Sequence, residues 1–277
     1  MSNLEKALKK AISARNKNKP EDSATGETAA ELYSEEAAVR SKGEIQTMRE
    51  NELLRKTDLE ERKFISRDIS DVKVVDQFRE IRTHIYQASR RNNSPILVTA
   101  VSGNAGNTFV TKNIAAAIAL DDSRTSLVVD CNLTNSGFKN LLREPDQLGV
   151  IDYLEGGISL EDIIKPVGIS RMRLISAGAK KESVTDHLTS SRLRALFNEL
   201  QERYSDRIIL VDSPSINDSA DAKILANLFS HVVLVVPYRK VTETQIENAI
   251  KVIGKEKIIG IVINREPRLL SLFKYTR

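Results

Sequence analysis

A short glycine-bearing turn between an apolar stretch and a helix of small residues is the part of this sequence best suited to chemistry. Residues 95–101 (PILVTAV) form the apolar stretch, and the turn that follows reads Ser-Gly-Asn-Ala-Gly. Free backbone N–H groups and the helix dipole attract phosphate at such a junction. The usual phosphate-binding signature ends in Gly-Lys-Ser/Thr, with lysine on the outer phosphates and the hydroxyl on Mg²⁺. Here Gly106-Asn107-Thr108 keeps the hydroxyl and lacks the lysine.

The turn offers backbone donors at residues that allow unusual backbone angles. Glycine has no side chain to restrict φ, and Asn104 belongs to a residue type that tolerates positive φ. We therefore expect Gly103, Gly106, Asn107 and Thr108 to contact phosphate. The alternative is a plain helix start, in which Thr108 only caps the first turn.

Two carboxylates stand where apolar stretches end. Residues 127–129 lead into Asp130, and residues 209–211 lead into Asp212. Mg²⁺ keeps most of its waters and needs few protein ligands, so Thr108 and Asp212 are the predicted metal contacts. Asp130 and Asp212 are also the predicted catalytic residues. Many apolar strands end in Asp, and a structural role for Asp130 stays open.

Apolar strands alternate with helical stretches from about residue 72 onward. Helical spacing precedes the first strand at four apolar positions, which are Val75, Phe78, Ile81 and Ile85. The later predicted strands are 125–129, 172–176, 208–211, 232–236 and 258–263, with helices at 190–204, 218–228 and 243–253. Strands rich in β-branched residues are buried on both faces, so the predicted fold class is α/β, a mostly parallel sheet between helix layers. Ligands in such sheets lie beyond the carboxyl ends of the strands.

The chain divides into four parts by composition. Residues 1–16 predict a short basic amphipathic helix, which would lie on an anionic membrane, dock on a partner or simply be solvated. Residues 17–70 are crowded with charged side chains and predict a flexible linker with transient helix around 44–63. Residues 71–268 form the predicted phosphate-binding domain, and residues 269–277 a short tail.

The bulk composition excludes several classes of protein. The net charge is only +4, aromatic residues make up 5% and there is no Trp, so we expect no nucleic-acid partner. The single cysteine, Cys131, fits a reducing compartment. No apolar run is long enough to span a bilayer, and the first residues lack the apolar core of a signal peptide. These features predict a cytoplasmic protein.

Several motifs together carry a family resemblance over about residues 70–265. They are Asp76–Thr83 (DQFREIRT), the 148–162 connection with its Leu-Gly and Ser-Leu pairs, Leu188 to Ser191, Asp212-Ser213-Pro214 and Gly260–Asn264. In these motifs the chain resembles the cytoplasmic domain of the bacterial tyrosine kinases that act in capsule and exopolysaccharide synthesis. Those kinases belong to the deviant Walker phosphate-loop ATPases, a class that includes MinD and ParA.

The resemblance implies roles for further residues. Asn264 would lie near a nucleotide base, and Asp76, Arg79 and Arg82 would contribute to contacts between subunits. The implied cofactors are ATP or ADP and Mg²⁺. The implied partner is a membrane chain-length determinant of polysaccharide export or an active kinase paralogue, at the inner face of the cell membrane.

The departures from the family pattern fall at the positions that carry its chemistry. Asn107 stands in place of the phosphate-loop lysine, and Asn132 in place of the second acidic residue after Asp130. The tyrosine cluster of the family's tail is reduced to Tyr275. Losing the lysine should cost roughly a hundredfold to a thousandfold in rate. Nucleotide is therefore expected to bind weakly or not at all.

Three functions follow from these observations. The first is a catalytically impaired, kinase-like regulatory protein of polysaccharide biosynthesis. The second is an active autokinase that uses another cation, so enzymatic activity is left open. The third is a MinD- or ParA-like ATPase that binds the membrane through residues 1–16.

Overall fold

The computed structural model describes residues 53–66, 71–89, 94–142, 148–179, 185–204 and 207–267. The predicted amphipathic helix at 1–16 and the predicted tail at 269–277, with Tyr275, lie outside the described residues. Within the described ranges no helix is both long and apolar enough to cross a membrane.

The described residues form one seven-stranded sheet in the order β3-β4-β2-β5-β1-β6-β7. All neighbouring pairs are parallel except β3 with β4, which is antiparallel. The strands are β1 (Ile96–Ala100), β2 (Thr125–Asp130), β3 (Lys165–Pro166), β4 (Met172–Ile175), β5 (Arg207–Ser215), β6 (His231–Pro237) and β7 (Ile258–Asn264). Because β2, β5 and β1 are neighbouring parallel strands, their carboxyl ends lie together at one edge of the sheet.

Helices cover both faces of the sheet. They are α1 (Lys56–Glu61), α2 (Val72–Ser89), α3 (Asn107–Ala119), α4 (Val150–Glu155), α5 (Leu160–Ile163), α6 (Thr185–Thr189), α7 (Ser191–Arg203), α8 (Ala220–Leu228) and α9 (Glu243–Ile253), with 3₁₀ turns at Lys139–Leu141 and Lys255–Lys257. Alternate side chains of one strand enter different cores: Ile96 and Val98 pack with α2 and α3, and Leu97 packs on the opposite side. Burial on both faces explains the unbroken apolar strands.

The sequence-based fold class, a mostly parallel α/β sheet, is confirmed. The predicted strands and the three long helices after β1 are present, with ends shifted by a few residues. The largest shift is in β5, which continues past Val211 to Ser215. The two-residue strand β3 and the short helices α4, α5 and α6 were not predicted, because so few residues carry no periodic pattern.

The expected flexible linker at 17–70 is wrong for its described part, residues 53–66, which we call the strap. Phe64 and Ile65 are only 3% and 5% exposed and join the core beside α3. Asn113 accepts a hydrogen bond from the Ile65 backbone N–H (2.8 Å) and donates one to the Lys63 carbonyl (3.1 Å). The Leu54 N–H also donates to the Gly168 carbonyl at 2.8 Å. The charged composition of residues 17–70 gave no indication of this docking, because the contacts involve only a few residues. They are the apolar side chains of Phe64 and Ile65 and the buried amide of Asn113.

Candidate functional site

The turn between β1 and α3 has the backbone angles that a phosphate loop requires. Asn104 and Gly106 have φ values of 57° and 88°, both in the left-handed region. Gly106 is the N-cap of α3, and no side chain caps the first turn of that helix. Successive left-handed and helical residues point backbone N–H groups into a concave surface that suits an anion. Asn104 thus adopts the positive φ that its residue type tolerates.

Asn264, at the end of β7, holds this loop from one side. Its side-chain amide donates a hydrogen bond to the Ala105 carbonyl at 2.7 Å. A Cβ atom added at Gly106 would lie only 2.4 Å from Asn264 Nδ2. Gly106 is therefore required both by its φ and by the close approach of Asn264. A contact of Asn264 with a base stays a prediction.

Asp218 holds the loop from the other side. Its Oδ2 atom accepts hydrogen bonds from the Gly103 backbone N–H (2.8 Å) and from the Ser215 hydroxyl (2.7 Å). The N–H of Gly103 is therefore already engaged, and phosphate binding falls to the residues around Gly106. Ser215 and Asp218 were not predicted from the sequence, although their position at and just after the end of a strand was an available signal.

Asp212 is fully buried and accepts hydrogen bonds from three residues of α3. Thr108 donates to Oδ2 at 2.7 Å, and Thr111 and Asn107 donate to Oδ1 at 2.9 and 3.3 Å. Burial raises the pKa of Asp212 to about 6, against the lowering effect of these hydrogen bonds. Thr111 was missed in the sequence, although its spacing of three from Thr108 places both on one face of α3.

Asn107 occupies the position expected for the lysine, and its side chain is bound within the site. The same Nδ2 atom that approaches Asp212 also donates to the Ser213 carbonyl at 2.7 Å. The amide therefore ties the start of α3 to β5. It supplies no positive charge for an outer phosphate.

Thr108 is the second residue of α3, and its hydroxyl bonds to Asp212. The alternative interpretation of Thr108 as a helix cap is therefore wrong. A Cβ atom at Gly137 would lie 2.6 Å from Thr108 Cγ2, so the loop after β2 packs directly on this threonine. Thr108 and Asp212 together form the hydroxyl and carboxylate pair predicted for Mg²⁺.

Asp130 lies beside Asp212, because the two residues are register partners in β2 and β5. It is fully buried and accepts hydrogen bonds from the Ser136 hydroxyl (2.5 Å) and the Asn132 backbone N–H (3.0 Å). Burial, and then the neighbouring Asp212, raise the pKa of Asp130 to about 8. The side chain of Asn132 adds no second carboxylate here.

Lys112 does not fill the position of the missing lysine. Its ammonium donates to the Arg62 carbonyl of the strap and lies 5.2 and 5.7 Å from the ring centres of Phe64 and Phe109. Burial lowers the pKa of Lys112. This cation therefore serves the contact between strap and helix.

The predicted subunit-contact residues on α2 have different surroundings. Asp76 and Arg79 are exposed and form an ion pair at 3.0 Å. Arg82 is half-buried and donates to the Ala117 carbonyl of α3 at 3.0 Å. The guanidinium of Arg82 is therefore engaged within the domain, and its part in contacts between subunits stays a prediction.

The site offers some of the groups that a nucleotide with Mg²⁺ requires. Left-handed Asn104 and Gly106 and the uncapped start of α3 suit a diphosphate. A hydroxyl and one carboxylate are ligand types that Mg²⁺ accepts. Across the described ranges no group of three or more His, Cys, Asp or Glu could hold a metal ion unaided. The residues fit a diphosphate, whereas the outer phosphate finds no cation among the residues that contact Asp212.

The curated relatives of the chain include several tyrosine-protein kinases. No protein-family model matches the chain. CapB of Staphylococcus aureus is 25% identical over 197 residues, covering 70% of this chain and 85% of its own. Tyrosine-protein kinase CpsD of Streptococcus agalactiae is 26% identical over 198 residues, covering 70% and 83%. Tyrosine-protein kinase wzc of Salmonella typhi is 26% identical over 193 residues, but the match spans only 26% of that longer protein.

Solved structures agree on the fold. The kinase domain of the Escherichia coli tyrosine kinase ETK matches with a TM-score of 0.63 and 24% identity, over 70% of this chain and 77% of that one. The cell division ATPase MinD of Pyrococcus furiosus matches with a TM-score of 0.54 and 26% identity, over 64% and 73%. The chain is therefore a homologue of the bacterial tyrosine-protein kinase family, with the fold that these kinases share with MinD.

Proposed function

We propose that this chain is a catalytically impaired, kinase-like regulatory protein of capsule or exopolysaccharide biosynthesis. The observation that carries the proposal is the side chain of Asn107. Its neutral amide stands in the lysine position and is bound to Ser213 and Asp212.

Phosphoryl transfer depends on positioning and on stabilising charge on the transferred group. In this site the Asn107 amide contributes no charge, and the paired carboxyl groups at the ends of β2 and β5 are those of Asp130 and Asp212. Removing an electrostatic donor of this kind costs roughly a hundredfold to a thousandfold in rate. The expected consequence is binding without appreciable turnover.

The remaining residues still have defined tasks. Backbone N–H groups at the start of α3 would bind the inner phosphates, and Asn264 and Asp218 keep the loop in its binding shape. Thr108 and Asp212 would hold Mg²⁺. The metal, when bound, would supply charge neutralisation for the phosphate oxygens.

We further propose that the chain acts at the inner face of the cell membrane on a membrane chain-length determinant or an active kinase paralogue. The exposed Asp76–Arg79 pair supports a surface for protein contacts. The match to wzc spans only 26% of that longer protein, which supports a role for this chain beside a larger partner.

The proposal is tested by incubating the purified full chain with γ-labelled ATP and Mg²⁺. We expect no transfer of label to the protein. Transfer by the wild-type chain that is lost in Asp212→Ala would show an active autokinase and defeat the proposal. A pull-down against the membrane determinant tests the partner, and absence of capture there would remove the assignment of that partner.

The alternative of a MinD-like membrane-associated ATPase is favoured by the structural match to MinD. That function predicts flotation of the full chain with anionic liposomes. Flotation should be lost when Leu4 and Leu8 are replaced by Asp, since both belong to the predicted apolar stripe. Flotation that survives these changes would argue against the predicted helix as the anchor.

A further inference from the structure

The inner half of the site is built for phosphate before any ligand arrives. Asn264 fixes the Ala105 carbonyl at 2.7 Å, and Asp218 fixes the Gly103 N–H at 2.8 Å. Between these clamps Gly106 keeps its left-handed φ of 88° and leads directly into α3. A preformed loop loses little entropy on binding, so its backbone donors retain their affinity for the inner phosphates.

The outer half of the site has the opposite character. Asp130 and Asp212 are side by side and fully buried at the strand ends next to Thr108. The Asn107 amide, bound to Ser213, brings no charge to them. An additional phosphate placed here would meet the neutral Asn107 amide where a lysine would supply an ammonium, so its charge lacks a partner in the side chain at that position.

Neither Lys139 nor Lys112 supplies a strong positive charge to this pair. Lys139 is exposed, and its field is the smallest of the influences on the pKa of Asp130. Lys112 is held by the Arg62 carbonyl of the strap. Neither ammonium takes the place of the absent lysine.

We propose that this site is selective for a nucleoside diphosphate over the corresponding triphosphate. This inference rests on the proposed function, since it takes the loop of residues 103–108 as a nucleotide site. It adds that the chain binds a nucleoside diphosphate and does not hydrolyse the triphosphate. A lysine at this position would compensate the charge of the terminal phosphate, whereas the neutral Asn107 amide does not.

The test is calorimetric titration of the full chain with ADP and with a non-hydrolysable ATP analogue, each with and without Mg²⁺. We expect ADP to bind at least about tenfold more tightly, since the terminal phosphate lacks a charge partner. Asn107→Lys should raise the affinity for the ATP analogue more than that for ADP and so abolish the preference. Asn107→Met introduces a side chain similar in length to that of lysine but without its charge, and this variant should keep the preference for ADP.

The outcomes separate this inference from the proposed function. Equal or tighter binding of the ATP analogue by the wild-type chain overturns the diphosphate preference. If Lys139→Ala then lost the binding of the ATP analogue, Lys139 would be the cation that replaces the absent lysine. Binding of neither nucleotide also overturns the preference, while the impaired-kinase proposal stands. Self-phosphorylation of the wild-type chain would defeat the proposed function. In that case tighter binding of ADP would still support the diphosphate preference, and equal binding would overturn it. Thermal unfolding of each variant shows whether a lost affinity reflects a lost fold.

Discussion

At the scale of single residues, the unusual feature is a pair of buried carboxylates in neighbouring strands. Asp130 and Asp212 have no exposed surface, and the atoms around them are hydroxyls, one amide and backbone N–H groups. Carboxylates in such a place favour the protonated form, because burial penalises the charge. The pair therefore makes the stability of the metal-free domain depend on pH.

Asp130→Asn should flatten this dependence. The pKa of Asp130 is about 8 in the folded protein and about 4 in the unfolded chain, so between these values only the folded protein holds the proton. Stability from this group is therefore fully present below the unfolded pKa and is lost as the pH rises through the folded pKa. The advantage of the asparagine variant should grow between those values, by at most roughly 1.4 kcal/mol per pH unit. Urea unfolding at several pH values measures it.

The control for this prediction is Asp76→Asn, which removes an exposed carboxylate and should leave the pH dependence unchanged. Parallel stability curves for wild type and Asp130→Asn would contradict the assignment of the raised pKa to Asp130.

Gly106→Ala should damage the loop more than the same change at Gly157. Both glycines have a φ of 88°, but a Cβ at Gly157 meets nothing within 4 Å, whereas one at Gly106 meets Asn264 at 2.4 Å. Backbone strain is common to the two changes, and we expect an additional cost of roughly 1–2 kcal/mol at Gly106. Chemical denaturation gives both values.

Combining Gly106→Ala with Asn264→Ala removes the atom that the new methyl group would meet. The excess cost at Gly106 should then shrink toward that at Gly157. If the excess persists in the double variant, the close approach of Asn264 is not its cause.

At the scale of elements, α3 is held at both ends and along its length. Its first turn is tied to β5 through Asp212, its middle to the strap through Asn113, and its last turn to α2 through Arg82. A helix whose N-terminus is to bind phosphate must not shift along its axis. The strap and α2 thus help to fix the position of the helix that follows the loop.

Asn113→Ala should loosen the strap and destabilise the domain. It leaves the Ile65 N–H and the Lys63 carbonyl without their partner, and an unpaired buried polar group costs roughly 1–3 kcal/mol. Hydrogen exchange of residues 53–66 should accelerate more than that of β1. Arg55→Ala, which removes only an exposed ion pair with Asp58, should leave exchange unchanged. Unaltered exchange in Asn113→Ala would show that the strap is held by its apolar side chains alone.

At the scale of the whole molecule, α2 connects the site to the outer surface. One face of the helix carries Val75, Phe78 and Ile85 into the core, and Asp76 and Arg79 remain outside. Arg82 lies between these faces and binds α3. We therefore expect Arg82 to contribute to stability and Arg79 to contribute to any contact between subunits.

Arg82→Ala should lower stability by roughly 1 kcal/mol, because a cation and a hydrogen bond at the end of α3 are lost. Arg79→Ala should leave monomer stability unchanged and weaken any self-association, measured by sedimentation velocity. The opposite pattern, with Arg79→Ala destabilising and Arg82→Ala affecting only assembly, would refute this division of roles.

The periodic features of the fold could be predicted from sequence because they are repeated many times. Short runs of mostly apolar residues identify the buried strands β1 and β2, and helix α9 was predicted with its observed ends. The strap could not be predicted, since its docking depends on Asn113, which is 48 residues away from its partner Ile65. Likewise, the clamp of Asp218 on Gly103 joins residues separated by 115 positions.

The sequence by itself determined the α/β fold, the position of the loop, the absence of its lysine and the two carboxylates at the strand ends. These properties depend on residue type and local periodicity, which a linear pattern records. Only the tertiary structure decided that the Asn107 amide binds Ser213, that Thr108 bonds to Asp212 rather than capping its helix, and that Arg82 and Lys112 face their own domain. Those outcomes depend on which strand ends meet, because hydrogen bonds form between atoms that the folded chain brings within about 3 Å.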